Sequence, residues 1–337
     1  MRLTRYVILI LACLFLVSHG LKLQCTAIAA EAELPGLAKK YPGDKGIEHD
    51  PAVVFVERFD RNSVDELATA WSYIKNRFGM TLVNDSVPYA ADRTSLQLSA
   101  IGGLTSGAHL YKQLSHNYAQ LYVRYYVKYV DEAAYHHTGV VSGGFNPPTA
   151  YPQGLCCHWP DGDHAFSASV EVVPPFDFDF YTYWVEMKRW GDIVSPKETE
   201  IDPRTNMRKA TASGNTLMGS TRQTIISGRW YCVEVRLKMN EPVSSKNGEL
   251  NLWIDGVLTA DYREGFPPGK WQSTSFEPNG TAQSVFEGFK WRTNPDLGLN
   301  WIWVLHYVTK DTLGHVSRVW YDNLVVAQKY IGPISPE

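Results

Sequence analysis

The residues best suited to proton transfer lie in the middle of the sequence. Tyr181 and Tyr183 are two positions apart, so in a β-strand both side chains point to the same face. A tyrosine can act as acid or base, but its reference pKa of about 10 must be lowered by cations before it is a base at neutral pH. His137 titrates in the useful range unaided. These residues suit acid–base chemistry, and the alternative is that the tyrosines pack with satisfied hydroxyls.

The elements that must position these side chains are predicted to be strands. Apolar and polar residues alternate in residues 121–130, 230–238 and 249–255, which indicates strands with one buried face. Turn signals such as Asn247-Gly248 separate the runs. Only residues 64–74 suggest a short helix. The remaining strand candidates are residues 166–172, 180–188, 302–309 and 316–327.

Many strands and few helices predict an all-β fold, an antiparallel two-sheet β-sandwich. Residues 52–337 contain no convincing internal linker, so we expect a single domain there. Residues 30–51 are rich in proline, glycine and charge and are predicted to be a linker or N-terminal arm. The polar strand positions are expected to line the outer face of a curved sheet, where an extended ligand can bind.

The amino terminus has the features of a secretory signal peptide. Arg2 and Arg5 precede an apolar run at residues 6–17, and an A-x-A pattern follows at residues 27–29. This run is shorter than the roughly 20 residues that span a bilayer. We therefore expect residues 1–29 to be removed, leaving a secreted or periplasmic protein that is not held at a membrane; an uncleaved anchor is the alternative.

Charge and aromatic content limit the kind of ligand. The 337-residue chain has 32 basic and 35 acidic residues, and loss of residues 1–29 leaves 29 and 35, a net charge of −6. This balance disfavours nucleic acid as a partner. An acidic polymer would need a local basic groove. Aromatic residues make up 13% of the chain, and some of them could stack on sugars.

Three cysteines follow the predicted signal peptide, and their odd number leaves at least one unpaired within the chain. Cys156 and Cys157 are adjacent in a loop rich in proline and glycine, and either could pair with Cys232. The spacing is a poor match to a zinc site.

Two longer stretches carry a family resemblance. Residues 230–256 (WYCVEVRLKMNEPVSSKNGELNLWIDG) resemble the paired strands of concanavalin A-like jelly-roll polysaccharide lyases of the alginate and glucuronan type. Residues 321–334 (YDNLVVAQKYIGPI) are similar to the closing strand of that group, and residues 53–62 are consistent with its first strand. The resemblance implies a jelly-roll fold and a polysaccharide as the substrate or ligand.

Residues 136–188 resemble the lyase core. There the family has a Lys-Leu-Pro-Gly-like segment ending in Gly-Gly, a Phe-Ser-x-Arg strand and a Tyr-x-Tyr strand. The corresponding strings here are HTGVVSGG, FSAS and YTY. Ser167, Tyr181 and Tyr183 match directly, whereas His137 falls at the family's lysine and Ser169 at its arginine. The resemblance thus implies a catalytic set of Tyr181, Tyr183, His137 and Ser167 with two cations fewer.

The chemistry implied is β-elimination on a uronate-containing glycan. Such a reaction needs a base for the proton beside the carboxylate, an acid for the leaving oxygen, and stabilisation of the developing charge. His137 could be the base or neutralise the carboxylate, and Ser167 could orient it. The residues expected to bind substrate are Arg124, Tyr126, Lys128, Lys188, Arg236, Lys238 and Trp253.

Several alternatives stay open. The two missing cations could mean another substrate, or a glycan-binding or wall-associated protein without catalysis. A glycosidase acting through two carboxylates is a minor hypothesis, since no E-x-D-x-x-E string occurs. We expect no cofactor and no catalytic metal. A structural calcium could use Asp161 and Asp163, or Glu57 or Asp60 with Asp322, although neither set has a diagnostic spacing. We expect a monomer.

Overall fold

A computed structural model describes residues 36–90, 93–130, 134–188, 200–203, 206–209 and 213–336, with Arg208 described by its backbone alone. The predicted signal peptide lies outside these residues. Among them, no helix is long and apolar enough to cross a membrane.

The described chain is built mainly of strands, which form two large antiparallel sheets and two small ones. The back sheet consists of β1 Val53–Glu57, β3 Met80–Val83, β4 Ser95–Ile101, β6 Gln120–Tyr129, β13 Trp230–Lys238, β14 Glu249–Ile254, β15 Val257–Tyr262 and β19 Val316–Ala327. The front sheet consists of β2 Tyr73–Lys75, β5 Gly107–Tyr118, β7 His137–Phe145, β9 Ala165–Val173, β10 Asp177–Tyr183, β12 Gln223–Thr224 and β18 Leu299–Tyr307. The small sheets pair β8 His158–Trp159 with β11 Arg208–Lys209, and β16 Gly269–Gln272 with β17 Ser275–Pro278. Six short 3-10 helices are Leu37–Lys40, Pro42–Asp44, Ile47–His49, Val64–Thr69, Arg77–Gly79 and Gly219–Thr221.

Sheet order brings together strands that are distant in sequence. The back sheet runs β15-β14-β13-β6-β19-β4-β3, with β1 also paired to β19. The front sheet runs β12-β10-β9-β7-β18-β5-β2. All of these pairings are antiparallel. The predicted two-sheet β-sandwich is therefore confirmed.

The core lies between the two sheets. From the back sheet, alternate residues of β6 and β13, such as Val123 and Val233, are buried. From the front sheet, Phe166, Val170 and Phe180 are buried in the same cluster. Burying a side chain of this size stabilises the fold by roughly 1.5–3 kcal/mol. The polar residues that alternate with these must therefore lie on the outer face of each sheet.

The outer face of the back sheet is covered by the chain itself. Leu37 and Ile47, from the predicted N-terminal arm, form a second cluster with Ile331 near the carboxyl terminus and Val325 of β19. The Ala38 N–H donates to the Ile331 carbonyl at 2.9 Å. We call residues 36–50 and 330–336, which overlie this sheet, the covering segments.

The short helix predicted at residues 64–74 is wrong in its extent and type. A 3-10 helix ends at Thr69, and Tyr73–Lys75 form strand β2, which pairs with β5. The Ser72 N–H donates to the Tyr111 carbonyl at 2.9 Å, and Trp71 is buried. Tertiary pairing and burial therefore override the weak local preference for a helix.

Candidate functional site

A cleft of about 560 Å³ opens on the outer face of the front sheet. Its floor is formed by residues of β5, β7, β9, β10 and β18, and residues 151–156 and β2 border it. The lining includes all four predicted catalytic residues: His137, Ser167, Tyr181 and Tyr183. The structure thus brings together side chains that the sequence separates by up to 46 positions.

Strand register places these four residues on neighbouring strands. Tyr183 of β10 lies opposite Ser167 of β9, and Tyr181 lies opposite Ser169. On β7, Gly143 faces Ser167 in the register. A Cβ on Gly143 would lie 2.6 Å from the Trp301 ring, so glycine is required for this close packing. The small residue lets the Trp301 ring pack against β7 beside Ser167.

His137 is held by a carboxylate. Its Nδ1 lies 2.8 Å from Glu171 Oε2, and Ser169 Oγ donates to the other carboxylate oxygen at 2.7 Å. The imidazole is 26% exposed and the Glu171 side chain only 5%. Burial opposes the charged imidazole, but the hydrogen bond and charge of Glu171 outweigh it and raise the pKa of His137. In the neutral ring, an N–H on Nδ1 leaves Nε2 as a proton acceptor.

Tyr181 and Tyr183 form a hydroxyl pair beside this histidine. Their hydroxyl oxygens are 3.1 Å apart, and the His137 and Tyr181 ring centroids are 5.1 Å apart. Burial raises the pKa of both phenols; hydrogen bonds from Tyr183 and Gly214 partly offset this for Tyr181. Both tyrosines are therefore protonated at neutral pH, which suits Tyr181 to the role of an acid and not of a base.

Gly214 fixes the Tyr181 hydroxyl. Its N–H donates to the Tyr181 oxygen at 2.9 Å. A Cβ at this position would lie 2.8 Å from Tyr181 Cζ and 3.0 Å from the Thr182 carbonyl oxygen. Glycine allows the loop to approach the ring closely, so the backbone holds the phenol in place.

Aromatic side chains line the cleft around these polar groups. The ring of His137 is parallel to that of Tyr307, with centroids 6.2 Å apart, and lies 4.1 Å from His136. Burial and then the neighbouring His137 lower the pKa of His136. Trp301 and Trp303 of β18 complete this surface. Flat rings beside hydrogen-bonding groups suit the binding of sugars.

None of the seven predicted substrate-binding residues lines this cleft, and six of them lie on the other sheet. Arg124, Tyr126, Lys128, Arg236, Lys238 and Trp253 belong to the back sheet and alternate with its core residues. They point outward, as expected, but on the sheet that does not carry the cleft. They lie on the opposite side of the core from His137.

Two of these residues are buried by the covering segments. Arg124 is fully buried and forms an ion pair with Asp44 of the N-terminal arm. It also donates to the Asn323 carbonyl at 3.2 Å. The Tyr126 hydroxyl accepts a hydrogen bond from the Ile334 N–H at 2.8 Å. Their role as substrate ligands is a wrong prediction, because both hold the covering segments against the sheet.

The other cations have acidic partners. Lys128 pairs with Asp85 and lies between the rings of Trp230 and Trp320. Arg236 and Lys238 both pair with Glu249, at 3.0 and 2.5 Å. The predicted basic groove is therefore not formed by these residues.

Trp253 and Lys188 also have neighbours of their own. Trp253 packs against Tyr122 and Tyr330, with ring centroids 6.0 and 5.2 Å away. Lys188, just after β10, donates to Glu287 at 2.6 Å and lies 5.1 Å from the Trp271 ring centroid. Neither residue lines the cleft.

The sequence prediction did not include Glu171, whose carboxylate contacts His137. It follows Ser167 and Ser169 at two-residue spacing on β9, so the same alternation could have identified it. A carboxylate at a uronate site repels the substrate unless its charge is directed to another group. The structure shows that its charge is directed to His137.

The cysteines are all free in the described residues. Cys156 lines the cleft, whereas Cys232 lies buried on the outer side of the back sheet beside Tyr126. Packed sheets are about 10 Å apart, which exceeds the 7 Å limit between the Cα atoms of a disulfide. The possible pairing of Cys232 with Cys156 or Cys157 is therefore wrong.

The predicted calcium carboxylates have protein partners. Asp161 accepts from the Asp163 and His164 N–H groups, and Asp163 accepts from Asn294. On the other side, Glu57 accepts from Arg61 and Trp71. Within the described part of the chain, no three His, Cys, Asp or Glu residues are grouped to hold a metal ion.

Solved structures of alginate lyases share this fold. Alginate lyase vAL-1 from Chlorella virus aligns with a TM-score of 0.51 and 10% identity, covering 82% of this chain and 99% of that chain. A variant of alginate lyase Aly36B, in complex with an alginate trisaccharide, aligns with a TM-score of 0.50 and 14% identity, covering 83% and 99%. No family model and no curated protein sequence matches this chain. The described chain thus has a jelly-roll β-sandwich like that of the polysaccharide lyases.

Proposed function

We propose that this protein is a polysaccharide lyase that cleaves a uronate-containing glycan by β-elimination. The proposal rests on one observation. The imidazole of His137, hydrogen-bonded to Glu171, lies beside the protonated phenol of Tyr181 in one cleft. The shared fold of the alginate lyases supports the choice of substrate class.

The two groups divide the proton transfers between them. His137 Nε2 accepts the proton from the sugar carbon beside the carboxylate, and the C–H electron pair forms a carbon–carbon double bond. The bond from the adjacent carbon to the glycosidic oxygen breaks, and Tyr181 gives its proton to that oxygen. Tyr183 then donates a hydrogen bond that stabilises the Tyr181 phenolate. One proton is taken and one is given, so the step is balanced.

Neutral donors must stabilise the charge that develops on the substrate carboxylate. The Ser167 hydroxyl lies on the cleft floor next to Tyr183 in the register. The family pattern supplies a lysine and an arginine where this chain has His137 and Ser169. Stabilisation by hydroxyl groups alone predicts a slower reaction than a cation would support.

The test is product formation on a panel of alginate, glucuronan and related polyuronates. The ultraviolet absorbance of an unsaturated uronate end group should rise with the wild-type protein. It should not rise with the His137→Ala or Tyr181→Phe variant at equal concentration of folded protein. A wild-type protein that is silent on the whole panel would overturn the proposal.

A second candidate is a glycan-binding protein without catalysis. It is favoured by Glu171, whose carboxylate contacts His137 at the position where the family pattern has a lysine. A glycan array with the wild-type protein and the Tyr183→Phe variant distinguishes the two. Equal binding by both, with no product from either, supports this candidate.

We also propose that residues 1–29 direct export and are removed, on the strength of the charged start, the apolar run and the A-x-A exit. We propose separately that the mature protein is a monomer with one β-sandwich domain. Mass spectrometry of the protein recovered outside the expressing cell should show an amino terminus near Ala30. An intact Met1 there would contradict the proposal.

A further inference from the structure

A second polar group lies in the cleft, two strands from His137 in the sheet order. Trp303 Nε1 lies 2.6 Å from Nδ1 of His109, which is on the neighbouring strand β5. An indole N–H can donate but cannot accept. Nδ1 of His109 must therefore accept, and its ring proton must be on Nε2.

The surroundings keep this histidine neutral. Burial, together with the charge of Lys75, lowers the pKa of His109 to about 4. Protonating Nδ1 would also break the hydrogen bond from Trp303. His109 is therefore a donor through Nε2 in the pH range where uronate carboxylates are ionised, and it cannot act as the base.

Lys75 lies beside this donor. Strand register pairs Lys75 of β2 directly with His109, and Tyr73 lies two residues away on the same side of the strand. Lys75 is exposed, and it is the single lysine or arginine among the described residues that line the cleft. It forms no ion pair within the described ranges, unlike the predicted cations of the back sheet.

The two ends of the cleft therefore differ in charge. Lys75, His109, Leu305, Gly139 and Glu171 lie on adjacent strands in one row across the front sheet. Four strand spacings separate Lys75 from Glu171, about 19 Å between Cα atoms. At the Glu171 end the carboxylate balances His137, whereas at the Lys75 end the positive charge is available to a ligand.

We infer that Lys75 and His109 form an anion subsite for the carboxylate of a second uronate, two to three strand spacings along the cleft from the one that reacts at His137. Lys75 supplies the charge, His109 Nε2 supplies a directed hydrogen bond, and the exposed ring of Tyr73 borders the site. Trp303 acts as a positioning residue through the His109 tautomer. The inference rests on the proposed function in one respect, that the glycan is acidic.

The test compares the affinity of Lys75→Ala and of a matched control for hexasaccharides of mannuronate and of glucuronate. Lys39→Ala is the control, because it removes an equal charge from an exposed lysine of the covering segments. Titration calorimetry should show affinity about tenfold weaker for Lys75→Ala, and unchanged for Lys39→Ala. The difference should vanish with carboxyl-reduced hexasaccharides and with disaccharides too short to reach both ends. Equal affinity of the two variants for the acidic hexasaccharides would overturn the subsite.

Nitrogen-15 NMR of the His109 side chain tests the positioning role of Trp303. The wild-type protein should show a proton on Nε2 and a bare Nδ1, and the Trp303→Phe variant should show a mixture of tautomers. A wild-type ring with its proton on Nδ1 would contradict the account of His109.

These results separate the inference from the proposed function. Binding without cleavage, with a loss confined to Lys75→Ala, would support the subsite and overturn lyase activity. Cleavage with no effect of Lys75→Ala on affinity or KM would support lyase activity and overturn the subsite. A wild-type protein that neither binds nor cleaves any uronate would overturn both.

Discussion

The outer faces of the two sheets carry similar side chains and differ in what lies over them. On the front sheet, His137 and Tyr181 border an open cleft. On the back sheet, Arg124 and Tyr126 occupy equivalent outward positions but lie beneath the covering segments. Alternation along a strand identifies which residues point outward. It does not tell which outer face stays open, because segments distant in sequence decide that.

Charged side chains also have different roles on the outer faces of the two sheets. The buried Arg124 is neutralised by Asp44 and stabilises the attachment of the N-terminal arm. At the cleft, the buried Glu171 raises the pKa of the partly exposed His137, and Lys75 has no acidic partner among the described residues. The comparison therefore separates residues that hold the fold together from residues that are available to a ligand.

The largest expected effect is on the front face. The His137→Ala variant should lower product formation by about 10²–10⁴-fold, because a positioned proton acceptor is lost. The Lys238→Ala variant, on the back sheet, is the control and should keep wild-type kcat/KM. Initial rates of uronate cleavage check both. Equal rates for His137→Ala and the wild type would show that His137 does not take part in the reaction.

The second prediction concerns the back face. The Arg124→Leu variant should lower the free energy of unfolding by about 3–5 kcal/mol, since it leaves the buried Asp44 carboxylate without its cation. Urea denaturation measures the change. Asp44→Asn in the same chain should restore part of the loss, and the folded variant should keep its cleavage rate. A drop in rate without a drop in stability would assign Arg124 to the site after all.

The third prediction concerns pH and the back sheet. Burial raises the pKa of Glu234 from 4.5 to about 7, although the Ile331 and Gly332 N–H groups oppose the shift. The folded state then binds this proton more tightly than the unfolded state. The contribution of Glu234 to the free energy of unfolding is fully present below the ordinary pKa of 4.5 and is lost as the pH rises through about 7. The loss amounts to about 3 kcal/mol.

The check on Glu234 is the free energy of unfolding measured between pH 4.5 and 8. The Glu234→Gln variant should lack this part of the pH dependence, whatever its absolute stability. A wild-type slope that the variant reproduces would assign the effect to other groups.

The smallest expected effect is a shift in the pH profile of the cleft. Since Glu171 raises the pKa of His137, the neutral base form is gained only as the pH rises through that raised value. The Glu171→Gln variant should move the acid limb of kcat/KM to lower pH by about one pH unit. A limb that stays in place, or that moves to higher pH, would show that His137 is not the base.

The sequence allowed several of the strands to be predicted closely. Residues 230–238 and 316–327 match β13 and β19 at both ends, because their alternation reflects one buried face and one outer face. The four catalytic candidates were also found to meet in one cleft. Their role stays a proposal, but their proximity follows from the register of β7, β9 and β10.

The groups that support the cleft were harder to predict. The pairing of Trp303 with His109 joins residues 194 positions apart, through strands whose adjacency no local pattern specifies. Gly214 lies outside any strand, and its contact with Tyr181 depends on loop shape. The burial of Arg124 depends on Asp44, in a segment that was predicted to be only a linker or arm. Each case depends on tertiary packing.

The proposed function requires the glycan to bind on the front sheet. A crystal structure of the Tyr181→Phe variant soaked with a uronate tetrasaccharide locates the bound sugar. We expect sugar density along the cleft, with one unit at hydrogen-bonding distance from His137 Nε2. Density on the outer face of the back sheet, with the cleft empty, would contradict it.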